Sequence, residues 1–250
     1  MRIIDSKYNL DFKDLTIVPQ ITDLGSRAEV ELDVEYITKW SKQKISGIPV
    51  ISSNMDSISS ITMAESLNDY KLFCALHKYI PVEDIIFHLE TDKAHRTFFT
   101  IGISDEDLSK LDYVGKNLFN IPLIHIDTPN GYMIRFRDFI KKIRDKYPNS
   151  IIMAGNICTG EGYEKVINAG ADFCKTGIAQ GQQCMTKNKA GVGLKQVGAI
   201  YDCLQAMEEN GGYLVSDGGI NEPASVCKAL GLGASMVMCG TLFGGYDECD

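Results

Sequence analysis

Residues 177–186, Gly-Ile-Ala-Gln-Gly-Gln-Gln-Cys-Met-Thr, place a thiol, Cys184, and a hydroxyl, Thr186, two residues apart on a glycine-containing loop. Glycine lets the main chain approach a ligand closely. A cysteine on such a loop acts as a nucleophile when nearby amides or cations favour its thiolate; the competing reading is a small apolar filler, the usual fate of a free cysteine. Asp217-Gly218-Gly219 and Gly240-Thr241 each follow an apolar run. Loops of that kind offer backbone amides to a phosphate, and Asp217 could accept hydrogen bonds from ribose hydroxyls; read blandly, both are tight turns. Among the histidines, His77 beside Lys78 is the pairing worth retaining, because His77, His88, His95 and His125 form no metal-ligating spacing.

These residues need a scaffold that presents them together. Eight β-rich runs alternate with helical patterns: Ile48–Ser52, Leu72–Leu76, Thr97–Ile101, Leu123–Asp127, Ile151–Ala154, Phe173–Thr176, Tyr213–Ser216 and Ser235–Cys239. Strands joined by helical crossovers pair in parallel. Between them, Met133, Phe136, Ile140, Ile143 and Tyr147 share one face at helical spacing, with Arg and Lys on the other, and Pro148 stops the helix. Ser104 is a helix N-cap with an acid three residues on. The pattern predicts an α/β fold, a (β/α)8 TIM barrel, although a doubly wound open sheet has the same local signature. In the barrel the chemistry lies on loops after the strands, which is where Asn54-Met55-Asp56, His77-Lys78, Asp127 to Gly131, Gly155-Asn156, Gly177 to Thr186, Asp217-Gly218-Gly219 and Gly240-Thr241 fall. Residues 1–250 are expected to form a single catalytic barrel domain, with residues 1 to about 45 lying over it. Only Gly240 to Asp250 follow the eighth run, so the last helix is expected to be missing or replaced.

Composition narrows the partners. The 250 residues carry a formal charge of −8, which leaves no broad basic face for a nucleic-acid polymer; one phosphate on a mononucleotide can still be held by amides at a helix N-terminus. Eight cysteines lie scattered without a CxxC pair, the pattern of reduced thiols, and no signal segment or bilayer-length apolar run is present. A cytoplasmic protein without membrane contact is expected. No GxGxxG or GxxxxGK[ST] loop supports a Rossmann or P-loop reading.

Taken together, Ser53-Asn54-Met55-Asp56-Ser57, Leu76-His77-Lys78-Tyr79, Asp127 through Asn130-Gly131-Tyr132, Met153-Ala154-Gly155-Asn156, Thr159-Gly160-Glu161, Gly177-Ile178 to Cys184, Gly191-Val192-Gly193 and Ser216-Asp217-Gly218-Gly219 resemble the IMP dehydrogenase/GMP reductase family, in order and over nearly the whole chain. Leu72-Phe73-Cys74-Ala75-Leu76-His77-Lys78, without a glycine-rich turn before His77, favours the reductase branch. The resemblance implies NADPH-dependent reductive deamination of GMP to IMP and ammonia through a covalent adduct on Cys184, with Thr186 relaying protons. It also implies Asp217, Gly218, Gly219, Gly240 and Thr241 as substrate-binding residues, and Ser26, Arg27, Lys78, Asp127, Thr128, Pro129 and Ile178 as cofactor-binding ones. Potassium or another monovalent cation would sit at Ala179, Gly181 and Cys184, with Lys187 where the family has arginine, and a homotetramer is expected. Ala179, Gln180 and Gln182 replace a glycine, a proline and a phosphate-binding serine of the family loop. The family's C-terminal flap, with a glutamate that partners the threonine, has no counterpart in these residues. A nucleotide-binding protein impaired in catalysis and an IMP dehydrogenase-like oxidoreductase are the alternatives.

Overall fold

Thr97–Ile101 and Phe173–Thr176 keep every residue buried. A strand buried on both faces belongs to a parallel sheet covered by helices, and the computed structural model, which describes residues 10–118, 121–179 and 191–249, shows that arrangement closed on itself. Two strands, β1 (Val34–Ile37) and β2 (Lys44–Gly47), form an antiparallel hairpin. Eight more, β3 (Val50–Ser52), β4 (Phe73–Ala75), β5 (Thr97–Ile101), β6 (Leu123–Asp127), β7 (Ile151–Ile157), β8 (Phe173–Thr176), β9 (Tyr213–Asp217) and β10 (Met236–Cys239), pair in parallel in chain order. Val237 of β10 lies opposite Val50 of β3, so the sheet closes and the open doubly wound alternative is excluded.

Among the described residues seven α-helices run on the outside: α1 (Ile61–Asp69), α2 (Val82–Leu89), α3 (Asp105–Asn117), α4 (Ile134–Lys146), α5 (Gly160–Asn168), α6 (Gln196–Asn210) and α7 (Pro223–Leu232). Helix α3 starts at Ser104 in a full capping box with Asp107, as the sequence predicts. Helix α4 buries Phe136, Ile140 and Ile143 as predicted, but Arg144, expected on the polar face, turns inward. The reason lies below it. The Arg144 guanidinium donates to Asp172 Oδ2 at 2.7 Å and to the carbonyls of Gly170 and Ser150 at 2.8 and 2.7 Å, so it satisfies a fully buried carboxylate.

The barrel interior is hydrocarbon at the strands' N-terminal ends, with Ile51, Phe73, Phe98, Phe173, Val215 and Met236 packed together. Tyr36 of β1 plugs this end: its ring lies edge-on to Phe73, Phe173 and Tyr213, and its hydroxyl donates to Ser235 O at 2.6 Å. Among the described residues no helix is long and apolar enough to cross a membrane.

Candidate active site

Side chains alternate along a strand, so Phe173 and Lys175, Leu123 and Asp127, and Val215 and Asp217 share inward faces. The lower member of each pair is packed hydrocarbon; the upper member is charged, so the interior changes from oil to ions toward the C-terminal mouth. There Lys175, with a side chain 3% exposed, donates to Asp127 Oδ1 at 2.8 Å and to Asp217 Oδ2 at 3.0 Å. Asn156, at the bulged end of β7, donates its Nδ2 to Asp217 Oδ2 at 2.8 Å and to Gly177 O at 2.7 Å. Gly155 makes room for this cluster, since a Cβ there would stand 2.6 Å from Lys175 Cβ.

Charge pairing decides the protonation states. Burial alone would push the Asp127 carboxyl up, but the Lys175 ammonium, the His125 ring and a hydrogen bond from Asn54 hold it well below the carboxylate range. Burial likewise disfavours the Lys175 ammonium, and Asp127 and Asp217 together raise it instead. His125 is pushed down to about 3, by burial first and then by Lys175, so it is neutral at physiological pH. Its Nδ1 lies 3.0 Å from Thr100 Oγ1.

A consequence follows for stability. Between about pH 6.5 and pH 3 the unfolded chain binds a proton at this histidine that the folded chain refuses, so stability present above 6.5 is lost as the pH falls. Melting temperature is expected to drop steadily from pH 7 to pH 4, and His125→Gln to flatten part of that slope. His88, which burial also holds down, contributes as well, and toward pH 4 so do Asp127 and Asp107, whose carboxyls are held below their ordinary range. An unchanged slope in the variant would show that His125 is not the group being titrated.

Two connected hollows open at this end. One, of about 370 Å³, is lined by Asn54, Asp127, Thr128, Pro129, Asn156 and Lys175 among others. The second, of about 680 Å³, is lined by Gly218, Gly219, Gly240 and Thr241 with the loop at Gly244-Gly245. Ser53, Met55, Asp217 and Gly218 line both. Buried Ser53 Oγ and Asn156 Oδ1 have no partner among the described residues, and buried polar atoms left this way at a hollow point to a ligand that completes them.

The predicted residues divide into three groups. Asp127, Thr128, Pro129, Ala179, Asp217, Gly218, Gly219, Gly240 and Thr241 line the hollows, and Ile178, between Gly177 and Ala179, is buried beside them. Ser26 and Arg27 lie in an exposed stretch, Ser26 capping a short turn, and Lys78 places its ammonium 5.3 Å from the Tyr79 ring; none of the three lines either hollow. Cys184, Thr186, Gly181 and Lys187 lie outside the described residues. Of the described thiols, burial pushes Cys74 up to about 11 and Cys203 and Cys239 up to about 12, so none of these three supplies a thiolate at neutral pH.

Sequence reasoning missed Lys175. Its signal was present: a lysine at the inward register of an otherwise buried strand is either paired or unstable.

The chain that builds this barrel is similar in sequence to several known proteins. GMP reductase of Caenorhabditis elegans is 42% identical over 248 residues, covering 98% of this chain and 69% of that protein. Human GMP reductase 1 is 37% identical over 248 residues, covering 98% and 72%, and GMP reductase of Serratia proteamaculans is 38% identical over 250 residues, covering 99% and 72%. The IMP dehydrogenase / GMP reductase domain matches residues 9–250, and with so much of its length accounted for, this chain belongs to that family.

Proposed function

We propose that the protein is a GMP reductase, converting GMP and NADPH to IMP, ammonia and NADP. The observation that carries the reading is the joined pair of hollows, one rich in amides suited to a phosphate and the other walled by an ionised Asp127, with Asp217 shared between them. Relatives named GMP reductase at 37–42% identity support the same choice within the family.

In this reading Gly218, Gly219, Gly240 and Thr241 hold the nucleotide phosphate and Asp217 accepts from ribose hydroxyls. Cys184 attacks carbon 2 of guanine, Thr186 carries protons, and the exocyclic amine leaves as ammonia. NADPH supplies the hydride that reaches the same carbon, after which the thiol departs and IMP is released. Attachment to sulfur divides one difficult displacement into two easier steps. Asp127, Thr128, Pro129 and Ile178 hold the cofactor, with Ser26, Arg27 and Lys78 assigned to it as well. The orphaned Asn156 Oδ1 in the smaller hollow fits a ligand that brings hydroxyl or amide donors there. The same reading carries a monovalent cation at Ala179, Gly181 and Cys184 beside Lys187, a single catalytic domain, a cytoplasmic location and a homotetramer. Exposed Ile17, Val18, Ile21 and Leu24 support association between copies.

Mixing the protein with GMP and NADPH is expected to lower NADPH absorbance with matching IMP formation, and Cys184→Ala to slow this by at least about a thousandfold. GMP binding without cofactor oxidation would identify a non-catalytic nucleotide binder. NADH formation from IMP and NAD would identify the dehydrogenase branch instead.

A further inference from the structure

Lys175 has no part in the chemistry just described, yet from the wall of the smaller hollow it pairs with Asp217, the residue that lines both. It reaches from β8 to carboxylates on two other strands, Asp127 on β6 and Asp217 on β9, and those oxygens lie within hydrogen-bond reach of one nitrogen. A lysine buried to this degree is retained in a fold only where its ammonium is fully paired. The neighbouring glycine, Gly155, leaves the space its stem requires.

We propose that Lys175 is a positioning residue that fixes the cofactor-side Asp127 and the substrate-side Asp217 relative to one another, so that both hollows depend on the same ammonium. The proposal rests on the GMP reductase reading for the identity of the two ligands. The groups facing the cluster are His125 on β6, neutral and with its Nε2 3.7 Å from Asp127 Oδ1, Asn156 on β7, Asn54 after β3, and the protonated Cys239 thiol on β10, close enough to feel the Asp217 charge. Among the described residues Lys175 is therefore the one cation on the pair. Removing it leaves two carboxylates with facing oxygens no more than about 6 Å apart and, among the described residues, the amides of Asn54 and Asn156 as their side-chain donors, a situation of like charges that favours proton uptake by one of them.

The test is equilibrium binding, not turnover. GMP and NADP are titrated separately by calorimetry against wild type, Lys175→Met and Lys175→Arg at several values between about pH 6 and pH 9. Lys175→Met is expected to weaken both ligands by roughly tenfold, the cost of a lost charge-assisted hydrogen bond. The ratio of its Kd to that of wild type is expected to vary with pH, whereas Lys175→Arg, which keeps the cation, stays within a few-fold of wild type at every pH. A merely structural role would shift the melting temperature without a pH-dependent ratio. Loss confined to one ligand, or a ratio flat with pH, overturns the proposal. Should Lys175→Met fail to fold, Lys175→Met/Asp127→Asn removes the stranded charge; it is expected to bind GMP roughly tenfold more weakly at every pH, and wild-type affinity there overturns the proposal. Wild type binding neither ligand would instead overturn the GMP reductase reading, and this proposal with it.

Discussion

Gly177→Ala is expected to weaken GMP binding at least about a hundredfold while leaving a folded barrel. Gly177 is the first residue after β8, with φ +143°, a region that L side chains rarely adopt. A Cβ at this position would lie 1.8 Å from the Asp217 carbonyl oxygen and 3.0 Å from Gln196 Oε1. The first contact is with backbone and cannot be relieved by turning a side chain. Either β9 withdraws, taking the Asp217 carboxylate out of reach of Lys175 and Asn156, or residue 177 withdraws, and its carbonyl loses the Asn156 bond at 2.7 Å. Misplacement of a positioned group by about 1 Å costs on the order of a hundredfold, so GMP affinity measured by calorimetry is expected to fall at least that far. Gly191→Ala is the control. It also replaces a glycine at positive φ, but among the described residues its Cβ meets nothing within 4 Å, so the backbone strain of about 1–2 kcal/mol is the cost expected. Equal losses from the two substitutions would show that strain, rather than the Gly177–Asp217 contact, governs binding.

The difference between these two glycines is invisible in the sequence, and it illustrates what was legible and what was not. The eight strands were readable because each is a short run of mostly apolar, largely buried residues between turn signals, and those runs overlap all eight barrel strands. Loop chemistry was readable for Asp217, Gly218, Gly219, Gly240 and Thr241, since residue type and position after a strand were enough, and the structure gathers them on one hollow. The count of eight strands predicted a closed barrel, as found, but the pairing of β10 with β3 across nearly the full chain was not itself readable, because no local pattern encodes a partner so distant. Lys175 and Arg144 escaped for a related reason. Local periodicity treats a charge as a mark of exposure, whereas here each is turned inward by a carboxylate contributed from a distant segment: Asp127 and Asp217 for the first, Asp172 for the second. The cofactor residues Ser26 and Arg27 rested on resemblance alone and Lys78 on resemblance together with its place beside His77 after the second strand, and none of the three lines the hollows described.

The second large effect is expected at the opposite end of β8. Asp172 is fully buried one residue before the strand begins, and it serves several partners at once. Its Oδ1 accepts from the main-chain N–H of Trp40 at 2.8 Å and its Oδ2 from Ile152 N at 3.1 Å, while Arg144 pairs with the same Oδ2 at 2.7 Å. It thereby fastens the loop of the β1–β2 hairpin, the start of β7 and helix α4 to one point. Asp172→Ala leaves a buried guanidinium without its counter-charge and the N–H groups of Trp40, Ser41 and Ile152 without this acceptor, a loss expected to cost about 3–5 kcal/mol, or roughly 10 °C in melting temperature. Arg144→Met is expected to cost less, because the remaining carboxylate keeps its backbone donors. Neither change reaches the mouth of the barrel, three residues further along β8 at Lys175. Barrels separate stability at the N-terminal face from chemistry at the C-terminal one, so Asp172→Ala, assayed well below its melting temperature, is expected to retain wild-type KM and kcat with GMP. A changed KM in the folded variant would mean that the hairpin end and the catalytic mouth are mechanically linked. Unchanged kinetics alongside a large stability loss, set against the reverse pattern for Gly177→Ala, would show that one buried strand carries the anchor of the fold at its start and the frame of the site at its end.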